Sequence, residues 1–160
     1  MGTTSDLTEF LFGSERADVT VVRTILEDVR AGRCFYCERS LPRQAGHVDH
    51  FIPWSKYPVD FGHNFVVAHP TCNSAKADHL AATEYLAAWA EPNLAHRAQL
   101  DEEFDRRGVL HDLPTSVRIA GWAYQQTFEA GGLTWAKNEG MVNLPADWQG
   151  PLAQLLESSN

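Results

Sequence analysis

The first clear pattern of apolar and polar positions lies near the N-terminus and has the spacing of a helix. Its apolar members, three or four residues apart, are Val19, Val22, Ile25, Leu26 and Val29. This spacing places them on one face of an amphipathic helix. Gly32 follows, a residue type that often ends helices. The pattern predicts an N-terminal helix within residues 17–33.

The next segment has shorter apolar runs and is rich in turn formers. Pro42 and Gly46 frame a loop, and the run HVDHFI that follows is a strand candidate ended by Pro53. A second strand candidate is NFVV, residues 64–67. This part of the chain is therefore predicted to hold two short strands joined by loops.

From residue 71 onwards, alanine and leucine become frequent and the apolar spacing indicates helices. The predicted helices cover residues 71–90, ended by Pro92, then 93–108 with Asn93 as cap, and 115–130. Their predicted core positions are Leu94, Leu100, Phe104, Val117, Ala120, Trp122 and Phe128. The tail is expected to dock through Trp135, Trp148, Leu152, Leu155 and Leu156.

Length and composition set the class of protein. The chain has 160 residues, of which 44% are hydrophobic, and this is typical of one globular domain spanning residues 1–160. Its opening, MGTTSDLTEF, lacks the basic and apolar regions of a secretory signal, and no long apolar run follows. We expect a soluble, cytoplasmic protein.

The net charge argues against a protein whose only role is to bind nucleic acid. The net charge is -8, whereas neutralising phosphates requires lysine and arginine. The balance differs along the chain, since residues 34–76 carry 4 basic and 3 acidic side chains and residues 77–160 carry 5 and 12. The charge of residues 34–76 therefore permits a local phosphate contact without predicting one.

The three cysteines all lie within residues 34–72. An odd number of cysteines in so short a segment is not typical of a disulfide framework. Cys34 and Cys37 form a CxxC, and His69 and Cys72 repeat the same spacing further on. Three thiols and an imidazole are a ligand set that structural zinc takes in tetrahedral geometry. The least certain ligand is the histidine, because other histidines nearby can replace it: His47, His63 and His79. The ordinary alternative is a set of buried thiols in the core.

A second group of polar residues lies between and just after these two pairs. It comprises Asp49, His50, Asn64 and Asn73, followed by Lys76. In this order around the cysteines, residues 34–79 resemble the HNH nucleases, also called ββα-metal or treble-clef nucleases. The resemblance implies an α+β fold, with a zinc-braced ββα-metal core at residues 34–80. The resemblance does not cover the flanks of this core, which are the predicted N-terminal helix, residues 17–33, and a mostly helical C-terminal extension, residues 81–160.

The resemblance also implies a role for each of these residues. His50 would be the general base that activates water, and Asn64 would hold it in position across the hairpin. Asp49 and Asn73 would bind one catalytic Mg²⁺ or Mn²⁺, while the zinc is structural. Because neighbouring strand residues face opposite sides, Asp49 and His50 can serve one site only at a bulge or a strand end.

Each of these residues also has an ordinary structural interpretation, as a turn residue, a cap or a solvated helix side chain. The same holds for the weaker candidates for nucleic-acid contact, which are Lys76, His63, Lys56, Trp54, Arg39 and Arg43.

Two classes of function therefore stand side by side. The first is a metal-dependent HNH endonuclease that hydrolyses DNA. The alternative is a zinc-dependent module that binds nucleic acid or protein without cleaving it. Because the motif window has few basic residues, a protein partner or targeting subunit that delivers the substrate fits either class.

Overall fold

The computed structural model describes residues 16–30 and 32–158. Helix α1, Val19–Val29, begins at Asp18, whose carboxylate accepts the backbone N–H of Thr20 at 2.9 Å. It ends where Arg30 turns to an extended conformation. The helix is therefore shorter than the predicted span of 17–33, within which Ala31 lies outside the described residues, as does the opening segment 1–15.

The centre of the fold is a short antiparallel hairpin followed by a helix. Strand β1, His47–His50, pairs with strand β2, Phe65–Ala68, in a register that sets His50 opposite Phe65. Helix α2, Pro70–Lys76, follows directly. The predicted ββα core is thus confirmed, although β1 ends two residues earlier than the run HVDHFI suggests. Beyond His50, the N–H of Ile52 donates to Oδ1 of the Asn64 side chain at 2.8 Å, so a side chain takes the place of a backbone acceptor on the neighbouring strand.

The C-terminal half is mostly helical, as predicted, with one short hairpin. Its elements are α3, Thr83–Ala95; α4, Arg97–Arg106; α5, Leu113–Glu129; β3, Leu133–Ala136; β4, Gly140–Asn143; and α6, Ala153–Ser158. Two 3₁₀ turns, Gly62–Asn64 and Gly150–Leu152, complete the described elements. No helix in the described part of the chain is long and apolar enough to cross a membrane.

The predicted helix 71–90 is in fact two helices. Ala77 ends the first with φ +53°, a left-handed conformation that non-glycine residues seldom adopt. The second runs past Pro92 to Ala95, so proline does not stop it. Asn93 is accordingly a buried helix residue, and its amide donates to the carbonyls of His63 and Trp89 instead of capping a new helix.

Two apolar clusters join these elements. The larger contains residues of the hairpin and of the C-terminal half together, and Phe51 stacks on Trp89 with ring centroids 5.3 Å apart. The smaller packs α1 against β2 and α4. The expected core role is wrong for Trp122 and Phe128, which are 49% and 37% exposed. In the tail, Leu156 is exposed. The other four residues expected to dock are buried in the core: Trp135, Trp148, Leu152 and Leu155.

Candidate metal centre and active site

Two adjacent turns bring the predicted zinc ligands together. Cys34 and Cys37 lie in the loop after α1, while His69 and Cys72 lie at the start of α2. The ligand atoms of all four side chains lie within 4.8 Å of one another. The structure therefore has a Cys3His cluster that can hold a zinc ion.

The orientation of His69 suits this ligand set. Its Nε2 lies 3.0 Å from the carbonyl oxygen of Ser40, to which it can donate a proton. Its Nδ1 lies 3.2 Å from Sγ of Cys37, on the side of the cluster. A metal-binding histidine commonly donates its second ring N–H to an oxygen in this way, which keeps the ligating nitrogen unprotonated.

The protein environment favours ionisation of one thiol over another. Burial opposes ionisation of Cys34, but hydrogen bonds from the backbone N–H groups of Cys37 and His69 lower its pKa to about 7. Burial and the neighbouring Cys34 raise the pKa of Cys72 to about 11. A bound cation offsets this repulsion, so metal binding and thiol deprotonation are coupled.

The CxxC turn contains a left-handed residue. Glu38 directly follows Cys37 and has φ +61°, a region that favours glycine. Two backbone hydrogen bonds hold the turn, because Glu38 N–H donates to the Cys34 carbonyl and Cys34 N–H donates to that of Arg39, both at 3.0 Å. The turn therefore brings the thiols of Cys34 and Cys37 together without a glycine.

His50 lies at the end of β1 and is held by a buried carboxylate. Its Nε2 is 2.7 Å from Oδ1 of Asp60, a residue only 1% exposed, while the imidazole itself is 20% exposed. Burial opposes ionisation of Asp60, but hydrogen bonds from His50, the N–H of Ala17 and the guanidinium of Arg16 lower its pKa. The imidazole is therefore fixed at one nitrogen and reachable from solvent.

Asp49 faces the other side of the strand and enters a buried ion pair. Its Oδ2 accepts the Tyr36 hydroxyl at 2.5 Å and lies 3.2 Å from Nζ of Lys76, which is fully buried. Burial lowers the pKa of Lys76, and Asp49 partly opposes this shift. Lys76 also donates to the carbonyl of His50 at 3.1 Å, so one cation contacts both members of the Asp-His pair. Strand β1 ends at His50, as the sequence analysis required, but Asp49 and His50 contact different side chains on its two sides.

The two asparagines occupy different positions. Asn64 closes the hairpin, since its amide also donates to the Ile52 carbonyl at 2.9 Å while its backbone carbonyl accepts Phe51 N–H. Asn73 is partly buried on α2, three residues before Lys76, so the two side chains share a helix face.

Residues 34–79 match the family model of the HNH endonucleases. The chain therefore contains an HNH endonuclease domain, and this domain includes the ββα core and the Cys3His cluster. No curated protein matches the chain.

Two candidates for nucleic-acid contact prove to be buried in the HNH domain. Lys76 is 0% exposed and pairs with Asp49, and His63 is 1% exposed with both ring nitrogens facing other side chains. Neither side chain reaches solvent, so the expectation of a surface contact is corrected for both. The reason is that Lys76 and His63 pair with side chains that are distant in the sequence, and the local sequence does not show these contacts.

The other candidates remain accessible. Lys56 and Arg39 are exposed, and Arg43 is exposed while paired with Asp28 at 2.7 Å. Trp54 is half-buried, and the guanidinium of Arg16 lies over its ring at 4.0 Å.

Sequence reasoning missed three partners of the HNH site. Asp60, Tyr36 and Arg16 orient His50 and Asp49, yet none belongs to the motif. Asp60 had one usable signal, because it is the only acidic residue between the Asp-His pair and Cys72.

Proposed function

We propose that this protein is a metal-dependent endonuclease that hydrolyses phosphodiester bonds of DNA. The observation that carries the proposal is the contact between His50 and Asp60 at the end of β1, within a segment that matches the HNH endonucleases. A partly exposed imidazole backed by a buried carboxylate is an arrangement suited to a general base.

The proton route follows from this contact. When Nε2–H of His50 donates to Asp60, the lone pair lies on Nδ1, which is free to take a proton from water. The water oxygen attacks phosphorus, its proton passes to Nδ1, and the bond from phosphorus to the 3′ oxygen breaks. The resulting imidazolium is stabilised by the Asp60 carboxylate, while solvent protonates the departing 3′ oxygen.

Asp49 and Asn73 supply oxygen atoms of the kind that Mg²⁺ or Mn²⁺ prefers. Both Tyr36 and Lys76 contact Oδ2 of Asp49, so its Oδ1 is the atom left to hold an ion. When bound, the ion supplies positive charge that offsets the charge gained by the phosphate. Asn64 keeps the hairpin closed, and Lys76 holds the His50 carbonyl.

Substrate contact is proposed for the accessible residues near the loops. Lys56, Arg39 and Arg43 carry the positive charges that a phosphate backbone needs, and Trp54 offers a ring face. With a net charge of -8, delivery of the DNA by a protein partner is part of the proposal.

The test is cleavage of supercoiled plasmid and of single-stranded circular DNA with Mg²⁺ or Mn²⁺. A suitable control for His50→Ala is His47→Ala, an exposed histidine on the same strand. We expect cleavage by the wild type and by His47→Ala, none with EDTA, and cleavage slowed by about 10²–10⁴-fold with a zinc-loaded, folded His50→Ala. A folded wild type that cuts neither DNA in either metal contradicts the proposal for the isolated chain and favours the binding module.

A further inference from the structure

A second cluster of side chains that can bind a metal shares no residue with the Cys3His cluster or with the proposed catalytic residues. It joins His63 in the 3₁₀ turn before β2, Asp101 on α4 and His111 in the loop before α5. Their ligand atoms lie within 4.8 Å of one another. His63 lies within residues 34–79 but Asp101 and His111 lie outside them, so the HNH match does not account for the cluster as a whole.

The hydrogen bonds of Asn93 determine which nitrogen of His63 carries the proton. The Asn93 amide nitrogen donates to the carbonyls of His63 and Trp89, at 3.2 and 3.0 Å. Its Oδ1 is therefore the atom that lies 2.9 Å from Nδ1 of His63, and it accepts that N–H. The unprotonated Nε2 then points at Oδ1 of Asp101, 2.7 Å away.

His111 has the same arrangement. Its Nε2 lies 2.5 Å from Oδ1 of Asp105, a carboxylate that can only accept a hydrogen bond. Its Nδ1 lies 3.3 Å from Oδ1 of Asp101. Each histidine thus donates one ring N–H to an outer oxygen and turns its other nitrogen to a single carboxylate oxygen. Outer oxygens orient metal-binding histidines in this way.

Two imidazole lone pairs cannot face one carboxylate oxygen without a cation between them. Protons fill this role only if both rings are charged, which would place two imidazolium charges on one carboxylate oxygen although the His63 side chain is 0% exposed. A metal ion fills it with both rings neutral. The His111 separation of 3.3 Å matches the distance of about 3.3 Å between neighbouring ligands of a tetrahedral ion, whereas the His63 separation of 2.7 Å would have to lengthen when an ion binds.

We propose that His63, Asp101 and His111 bind a divalent transition-metal ion of the Zn²⁺ class. Two imidazoles and one carboxylate suit such an ion better than Mg²⁺ or Ca²⁺. Asp101 is 33% and His111 18% exposed, so a water molecule has access to a fourth position. Arg97 approaches the other oxygen of Asp101, at 3.7 Å, and leaves Oδ1 to the histidines.

The location of this site gives it a structural role. His63 directly precedes Asn64, which closes the nuclease hairpin, whereas Asp101 and His111 belong to the helical extension. Gly62 N–H already donates to the carbonyl of Leu110 at 2.8 Å, so the same two segments meet beside the cluster. A bound ion would therefore link the hairpin to the C-terminal helical extension.

The test is metal binding by the full chain, with no activity readout. Protein stripped by a chelator is titrated with Zn²⁺ and analysed by mass spectrometry, and Co²⁺ is used as a spectroscopic probe. The wild type should bind two equivalents. The cobalt in the Cys3His cluster shows thiolate charge transfer, whereas the second cobalt adds ligand-field bands alone.

The variants His111→Ala and Asp101→Asn should each lose the second equivalent and keep the first. The matched control His96→Ala removes an exposed histidine next to α4 and should keep both. A wild type that binds one equivalent at micromolar free Zn²⁺, or a His111→Ala protein that still binds two, overturns the proposal.

Discussion

The Cys3His cluster and the His50 site belong to the same HNH domain, but different parts of the chain position them. The cluster draws every ligand from two turns within residues 34–72. His50 is oriented by Asp60, and Asp60 in turn accepts from the backbone of Ala17 and the guanidinium of Arg16, before the HNH domain begins. Local turns are thus enough to assemble the metal cluster, whereas the orientation of His50 also depends on packing of the segment before α1.

The difference predicts distinct results when either region is disturbed. Damage to the cluster should unfold the hairpin, because a bound structural metal contributes folding free energy directly. Damage to the partners of His50 should reduce catalysis more than stability.

The largest effect is expected for Cys37→Ser. Loss of one thiolate should release the zinc of the Cys3His cluster and abolish cooperative melting of the hairpin, since apparent binding free energies of structural zinc reach about 10–16 kcal/mol. The readouts are thiolate-to-cobalt charge transfer and a thermal transition followed by circular dichroism. If the variant keeps the charge-transfer band and the wild-type Tm, the cluster does not hold metal in this way.

Lys76→Met should have the next largest effect, on the buried ion pair. It leaves Asp49 charged, buried and without its cation, at a cost of about 3–5 kcal/mol. Urea denaturation measures the loss. Lys56→Met removes an exposed lysine and should change the free energy of unfolding by about 0.5 kcal/mol or less. Equal effects of the two variants would contradict the ion pair at Asp49.

Asp60→Asn should slow DNA cleavage about 10- to 100-fold, the range seen when outer residues that orient a functional histidine are replaced. The amide keeps the shape of the side chain but lacks the charge that stabilises the His50 imidazolium. The rate under single-turnover conditions is the measurement, with zinc content as the control for folding.

The same variant has a pH signature. The pKa of Asp60 in the folded protein lies below its ordinary value of 3.8, so its stabilising effect is complete above that value. The effect is lost as the pH falls through the folded-state pKa. The stability difference between wild type and Asp60→Asn should therefore shrink in acid below about pH 4. A difference that grows as the pH falls would be inconsistent with a depressed pKa.

Arg16→Ala should have the smallest effect. The Arg16 side chain is 53% exposed, and ion pairs of this kind contribute about 1 kcal/mol or less. Because Ala17 N–H still holds Asp60 at 2.9 Å, cleavage should fall only slightly. A loss as large as that of Asp60→Asn would mean that the N-terminal segment orients the site more strongly than these contacts indicate.

The features that the sequence predicted well are those that local spacing determines. The apolar stripe of α1 and the two CxxC-like turns are of this kind, and the structure contains both. The break at Ala77 depends on a left-handed residue that carries no glycine signal, and β3 and β4 are only four residues each. Asp60 and Tyr36 gain their roles through tertiary contacts across 10 and 13 residues, which no periodic pattern encodes.

The most direct test of the central claim is chemical rescue of zinc-loaded His50→Ala with free imidazole. The loss of a general base should lower the rate of DNA nicking by about 10²–10⁴-fold. Added imidazole should then restore part of that rate in His50→Ala and leave Asp49→Ala inactive. A His50→Ala protein that nicks DNA at the wild-type rate would contradict the assignment of His50 as the base.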